Sequence, residues 1–433
     1  MNGERATIER MVYGGAGVTR VQGESVFVPF VLPGEVVELG AGETTVLEAS
    51  ADRVAPGCRH FGVCGGCQYQ HASYEAQLGI KREIVRGMLE RHGVDAASLQ
   101  VHAREPWRYR NRIRVRLQRA EGAWRAGYSE RGSNTFMAAS ECPIAAPLLW
   151  RAVEALMRVA EFLPMESREV ELFCDAEESA LQVSVMLDAT VATMEREGAA
   201  RFRRLCEAMA REVPQMRGAG MWVWAEAQRG VRTPKQRAVV ETVRWGEETL
   251  PYVVQSDAER YTYAMRRGGF FQVNRFLVGE LIRLAVGEAH GGRAWDLYAG
   301  VGLFTQALMQ RFTHVTAVEV GQQAFAELQS MIAGGSRAVQ KTTVEFLRGA
   351  VALPNAVPEL VIVDPPRAGL GAEVCDLLGK MGAAKMVYVS CDPETLSRDL
   401  KRLLEFGYRV EALHMVDLFP QTFHVETVAI LRR

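Results

Sequence analysis

The chain has 433 residues, 48% of them hydrophobic and 24% charged, with a net charge of −1. That is apolar chain enough for roughly two to four domains, and it excludes a disordered or uniformly basic protein, so a nucleic-acid partner must be held by a local basic patch. No apolar run is long enough to span a bilayer and no signal-peptide pattern is found, so a cytoplasmic protein without membrane contact is expected.

Residues 1–50 are rich in Gly and Val. Gly14, Gly15, Gly17 and Gly23 alternate with short apolar runs, and Pro33-Gly34 makes a turn before Glu35-Val36-Val37. Short strands at even spacing with turn residues between them argue for a small, OB-like β-barrel. Such barrels are common nucleic-acid platforms, and plain structural ones are as frequent.

Eight cysteines occur, three of them bunched as Cys58-x5-Cys64-x2-Cys67 in a Gly-bearing stretch. In a cytosolic protein that pattern points to a metal site rather than a disulfide framework. Thiolates are soft ligands for zinc or an iron–sulfur cluster. Cys142, in Glu-Cys-Pro-Ile, is the candidate fourth ligand. Zinc ribbons usually carry two CxxC knuckles and only one is present, so a [4Fe–4S] cluster is favoured over zinc, with a structural role for the site. From Ala76 to Arg91 the chain reads as an amphipathic helix with Leu78, Ile84, Val85, Met88 and Leu89 as its apolar positions.

Residues 107–118 alternate with period two. Ile113, Val115 and Leu117 take one face of a strand, and Arg110, Arg112, Arg114 and Arg116 take the other. Neighbouring like charges are unfavourable, so an RNA or DNA backbone is the preferred partner of this ladder. A solvated edge strand guarded by charge is the alternative. Gly127-Tyr128 adds an aromatic for stacking. The central region to about residue 260 continues as mixed α/β.

From residue 261 the pattern becomes strand–loop–helix. Asp296-Leu-Tyr-Ala-Gly300-Val-Gly302 is a strand end, a glycine turn and a helix start, and about twenty residues later a strand ends at Glu319. This is a nucleotide-binding crevice in which the acid takes ribose hydroxyls. The absence of a Gly-Lys-Ser/Thr motif excludes a phosphate loop and points to S-adenosylmethionine. Two more strands end in Asp364-Pro-Pro-Arg367 and in Ser390-Cys391-Asp392-Pro393. A thiol at a strand tip, ahead of a helix N-terminus that lowers its pKa, is a candidate nucleophile; a packing cysteine is the bland alternative. Glu426 sits in an otherwise apolar run, which marks a buried carboxyl of raised pKa suited to a general base. In Gly-Gly-Phe270-Phe-Gln272-Val-Asn, Gln272 is placed to anchor a base edge or the cofactor and Phe270 to stack on a flipped base.

Phe-Gln-Val-Asn, Asp-Leu-Tyr-Ala-Gly-Val-Gly, Asp-Pro-Pro-Arg, Ser-Cys-Asp-Pro and His-Val-Glu occur in that order. Together they resemble the RNA uridine C5-methyltransferase family, and the four cysteines resemble its [4Fe–4S]-bearing branch, which modifies bacterial ribosomal RNA. The N-terminal barrel resembles the TRAM domain of that branch. The resemblance implies a class I, Rossmann-like α/β methyltransferase domain over 261–433, an iron–sulfur and RNA-binding domain over 51–260, and a barrel over 1–50. It implies Cys391 as nucleophile, Glu426 as base with Asp364 beside it, and cofactor contacts at Gln272, Asp296, Tyr298, Gly300, Glu319 and Asp364. It also implies RNA contacts at Arg110, Arg112, Arg114 and Phe270, a monomer, and 23S rRNA as partner. Transfer RNA T-loop methylation and a non-catalytic, cluster-bearing assembly factor are the rival readings. Ser-Cys-Asp-Pro departs from the commoner Ser-Cys-Asn-Pro, so Asp392 is expected to raise the thiol pKa unless it is tied up as a helix cap.

Overall fold

A computed structural model describes residues 3–40, 44–190, 196–224, 239–352 and 357–433. Parts of the expected first two segments, 1–2, 41–43, 191–195 and 225–238, lie outside the described residues. At the N-terminus two three-stranded antiparallel sheets, with strands Glu4–Thr7, Val36–Leu39 and Thr44–Glu48 in one and Arg10–Met11, Ala16–Val21 and Glu24–Pro29 in the other, face each other. They close over Ile8, Val28, Val31 and Val37. Glu35 is fully buried there, and Arg53 answers its charge at 2.5 Å, which anchors the barrel to the chain that follows it.

The middle of the chain forms a seven-stranded sheet. Its strands are antiparallel except for the pair Leu181–Thr190 and Met216–Trp224. A parallel pair needs a crossover, and the helix Arg196–Glu212 supplies it. That helix and Pro147–Arg158 cover one face, where Ile113, Val115 and Leu117 are buried. The period-two reading of the arginine strand therefore holds for Arg112–Ala120.

The C-terminal sheet has eight strands. Across it run Arg337–Val339, Phe312–Val318, Gly291–Leu297, Leu360–Val363, Lys385–Ser390, Glu426–Arg432, Arg409–Val416 and Gln100–His102. All neighbours are parallel except Glu426–Arg432, which is antiparallel to both of its neighbours. Leu360–Val363 is buried throughout, as a strand covered on both faces must be. This is the α/β sheet expected from the strand–helix alternation. The outermost strand, Gln100–His102, comes from the N-terminal half and pairs with Arg409–Val416.

Helix Tyr74–Arg91 begins at Ser73, whose side chain accepts from Ala76 N. Val85 and Leu89 join the core beneath the sheet. Toward its start the buried face is polar: Gln77 and Lys81 are buried, while Leu78 and Ile84 are only half-buried. Hydrophobic periodicity misses this because the surface being covered is loop backbone, which needs hydrogen bonds. Lys81 Nζ lies 2.6 Å from Asp417 Oδ1, with both side chains fully buried.

Removing one partner of a buried pair strands the other's charge, at a cost of about 3–5 kcal/mol. Lys81→Met is expected to lose that much stability in denaturant melts. The double variant Lys81→Met/Asp417→Leu is expected to recover most of it.

Candidate active site and cysteine cavity

The parallel strands bring their C-terminal ends to one edge of the sheet, and the antiparallel strand starts there. Ser390 pairs with Thr427, and the Thr427 hydroxyl donates to Ser390 O at 3.0 Å. One residue further on, Cys391 and Glu426 stand across from each other. Val363 pairs with Tyr388, so Asp364 leaves its strand on the neighbouring side of the same tip.

Glu426 is 3% exposed. Burial raises its carboxyl well above the ordinary carboxylate range, and the Asp364 charge beside it adds to the rise. Asp364 is raised too, by burial and by Asp296. The half-buried Cys391 thiol is pushed up to about 11 by burial, then by Glu426 and Asp364, against the lowering effect of Arg367. Asp392 does cap the next helix, accepting from Glu394 N at 3.1 Å and Thr395 N at 3.0 Å. Its charge ranks behind those of Glu426 and Asp364 in raising the thiol. The expected lowering at a helix N-terminus is outweighed, because two carboxyls and the loss of water act on the same sulfur.

Next to this tip lies the glycine turn. Asp296 is fully buried and is pushed up to about 7, chiefly by burial. The Thr305 hydroxyl donates to its Oδ2 at 2.5 Å, and its Oδ1 has no protein partner among the described residues. Tyr298 takes a left-handed φ of 62°, and Gly300 one of 55°. A non-glycine residue held there marks a backbone over-determined by its surroundings. Gly300 N donates to Glu319 Oε2 at 2.9 Å, and Gly321 N donates to Oε1 at 2.5 Å. Asp296, Tyr298, Gly300, Glu319, Asp364, Cys391 and Glu426 thus share one edge of the sheet. Gln272 is buried, and its carbonyl accepts from Asn111 Nδ2 at 2.9 Å. Phe271 is buried while Phe270 is 71% exposed.

Four side chains at this tip carry no role in the sequence reading. The Tyr13 hydroxyl donates to Cys391 O at 3.5 Å, and its ring meets Phe423 edge-on at 5.4 Å. Phe423 packs on His424 at 4.1 Å, and Arg367 Nη2 lies 3.4 Å from His424 Nδ1. Tyr13 comes from the barrel, some 378 positions away in sequence, and no local pattern signals such a contact. Arg367 and His424 were visible inside their motifs.

Cys58, Cys64, Cys67 and Cys142 line one cavity of about 260 Å³, with Gln70, Arg110 and Tyr128. Cys142 arrives because Arg108 N and Arg110 N donate to the carbonyls of Pro143 and Ile144. Burial raises all four thiols, Cys67 to about 12. Gly66 N donates to Cys64 Sγ at 3.5 Å, and the Gln70 and Tyr128 side chains lower the rise at Cys67 and Cys142. Among the described residues no three His, Cys, Asp or Glu are grouped so as to hold a single metal ion. Four soft donors and the cationic Arg110 line this one cavity, a donor set that suits zinc or an iron–sulfur cluster.

The arginines do not form one exposed row. Arg110 turns into the cysteine cavity, and its Nε is buried without a partner among the described residues. Arg112 pairs with Glu171 at 3.0 Å and lies 4.4 Å over the Phe173 ring. Arg114 also reaches Glu171, at 2.9 Å, yet stays 61% exposed. Glutamates on the neighbouring strand therefore neutralise much of the ladder. Tyr128 faces the cysteines rather than solvent.

The family model described as tRNA (Uracil-5-)-methyltransferase matches residues 335–433. Over 98% of its length the chain is 31% identical to a protein of Halomonas elongata, 88% of which is covered, named 23S rRNA (uracil(1939)-C(5))-methyltransferase RlmD. A protein of the same name in Chromohalobacter salexigens is 32% identical, with 99% of this chain and 89% of that one covered. An uncharacterized RNA methyltransferase of Caulobacter vibrioides is 33% identical, with 99% of both chains covered. Among solved structures, the tRNA (uracil-54, C5)-methyltransferase of Pyrococcus abyssi in complex with S-adenosyl-L-homocysteine superposes with a TM-score of 0.73. It covers 99% of this chain and 100% of its own at 21% identity, and is similar in fold.

Alkylation of Cys391 tests the charge balance at the strand tip. A raised thiol gives less thiolate at a given pH, so the alkylation rate should climb about tenfold per pH unit through pH 8–10. At pH 9, Arg367→Gln is expected to slow it and Glu426→Gln to speed it, as read by mass spectrometry of the Cys391 peptide.

Proposed function

Because the chain belongs to the RNA uracil C5-methyltransferase family, we propose that it methylates C5 of a uridine in 23S rRNA through a covalent adduct at Cys391. The observation that carries this reading is the Ser390–Thr427 register, which sets a thiol opposite a buried carboxyl. Uracil C5 is a weak nucleophile. Attack of the Cys391 thiolate on C6 turns the ring into an enolate whose C5 carries the electron density. C5 then attacks the sulfonium methyl of S-adenosylmethionine, forming the C5–CH3 bond as the S–CH3 bond breaks and S-adenosylhomocysteine leaves. Asp364, raised to about 7 chiefly by burial and then by Asp296, donates from its protonated form a hydrogen bond to the developing enolate oxygen. Glu426 then removes the C5 proton; the C5–H electrons form the C5=C6 bond, and the C6–S bond breaks to release the thiolate.

Glu319 holds the donor's ribose, since a carboxylate that accepts two backbone N–H groups has acceptor sites left. Asp296, Tyr298, Gly300 and Gln272 shape the rest of that pocket. Phe270 offers an exposed ring for a base that has left its stack. Arg114 provides an exposed guanidinium for the RNA backbone, while Arg110 and Arg112 act from inside the protein.

Cys58, Cys64, Cys67 and Cys142 hold a [4Fe–4S] cluster, which cross-links the 58–67 loop to residue 142. Arg110 and the Gly66 N–H balance its charge. The names of the full-length relatives support the ribosomal substrate, and a cytoplasmic location accords with it.

Purified protein with labelled S-adenosylmethionine is expected to form 5-methyluridine in 23S rRNA and none in a separate tRNA pool. Cys391→Ala is expected to abolish it; label in tRNA alone would reverse the substrate assignment. Protein purified without air should carry about four irons per chain and absorb broadly near ~400 nm. Cys142→Ser is expected to lower the iron content, and stoichiometric zinc without iron would overturn the cluster assignment.

A further inference from the structure

Glu426 begins its strand directly after the loop 417–425, and that loop is held almost wholly from outside the methyltransferase sheet. Asp417 is fully buried between Lys81 Nζ, at 2.6 Å, and the Tyr74 hydroxyl, which donates to Oδ2 at 2.9 Å. Lys81 Nζ also donates to Phe419 O at 2.9 Å, and Asn274 Nδ2 donates to Leu418 O at 3.1 Å. The Tyr109 hydroxyl donates to Pro420 O at 3.1 Å. Gln421 is gripped hardest. Its carbonyl accepts from Gln68 N and Tyr69 N, both at 3.0 Å. Its side-chain oxygen accepts from Gln77 Nε2 and its backbone N donates to Gln77 Oε1, again at 3.0 Å each.

Gln421 has a φ of 69°, a conformation that L side chains rarely adopt and that persists only where the surroundings impose it. The chain is therefore bent at a defined place, five residues before Glu426. Two of the donors, Gln68 N and Tyr69 N, directly follow Cys67 in the chain.

We infer that Gln77, with Tyr74 and Lys81 on the same helix, is a positioning residue for the Glu426 base, and that the segment after the cysteine loop shares this task. The inference rests on the proposed methylation chemistry and adds a step-specific role to it. Glu426 acts only after methyl transfer. Loosening the loop should leave RNA binding, thiol attack and methyl transfer in place and slow the removal of the C5 proton. The Cys391–C6 adduct, already methylated at C5, should then accumulate.

The test uses the full-length protein with 23S rRNA fragments and S-adenosylmethionine, and compares wild type, Glu426→Gln, Gln77→Leu and Tyr74→Phe. Denaturing gels read the fraction of protein linked to RNA, steady-state kinetics give kcat and KM for RNA, and thermal melts report folding. Gln77→Leu is expected to lower kcat by about 10- to 100-fold, the scale of an ångström-level misplacement. Its KM should stay within about twofold of wild type, and its RNA-linked fraction should rise toward that of Glu426→Gln. Tyr74→Phe, a smaller change, should shift both readouts in the same direction and decides the matter if Gln77→Leu does not fold.

Wild-type turnover without adduct in the folded variants overturns the inference. So does a joint loss of adduct and turnover in a variant that melts like wild type. If instead wild type forms no 5-methyluridine and Glu426→Gln forms no adduct, it is the functional reading that falls.

Discussion

Inserting the Glu426–Arg432 strand antiparallel between Lys385–Ser390 and Arg409–Val416 presses a carboxyl against a thiol where water is scarce. In a sheet with every strand parallel, residue 426 would leave from the opposite edge and no base would stand near Cys391. Reversing this strand sets an acid and a thiol at one tip, with Asp364 arriving from the next strand. Burial acts on all three, the Asp364 charge adds to the rise at Glu426, and both carboxyls add to the rise at Cys391.

The charges around this tip therefore matter. Arg367 is the group that lowers the Cys391 pKa, and it lies against His424. His424 is itself held down to about 4 by burial and by Arg367, so it remains an uncharged neighbour. Asp392 is kept at work as a helix cap, and the larger burden on the thiol comes from across the sheet. The barrel contributes Tyr13, whose hydroxyl reaches the nucleophile's backbone. Elements far apart in sequence thus meet at one sulfur.

Local patterns revealed the sheet and its tip residues because each strand carries its own signature. The apolar runs that end in Asp364 and Cys391, the acid inside the last strand and the glycine turn at Gly300 all state their environment within a few residues. The cysteine cavity was legible for the same reason, since thiols have few other uses in such a loop. What escaped were the polar contacts between distant segments. Gln77 and Lys81 look like solvent-facing residues by periodicity, yet they are buried because the surface they cover is backbone. The alternation of the arginine strand was legible, and its carboxylate neighbours were not. Glu171 lies on another strand, and pairing register is not visible in one strand alone. Arg110 precedes the strand proper, and its alternation gave no hint that it faces the cysteines.

The division of labour between Cys391 and Glu426 is tested most directly by counting two atoms at once. With RNA tritiated at uracil C5 and S-adenosylmethionine carrying a ¹⁴C methyl group, wild type should release one tritium for every methyl transferred. Glu426→Gln should take up close to one methyl per protein and release almost no tritium, because the adduct forms and then waits for a base. Tritium release that keeps pace with methyl transfer in Glu426→Gln would contradict the account.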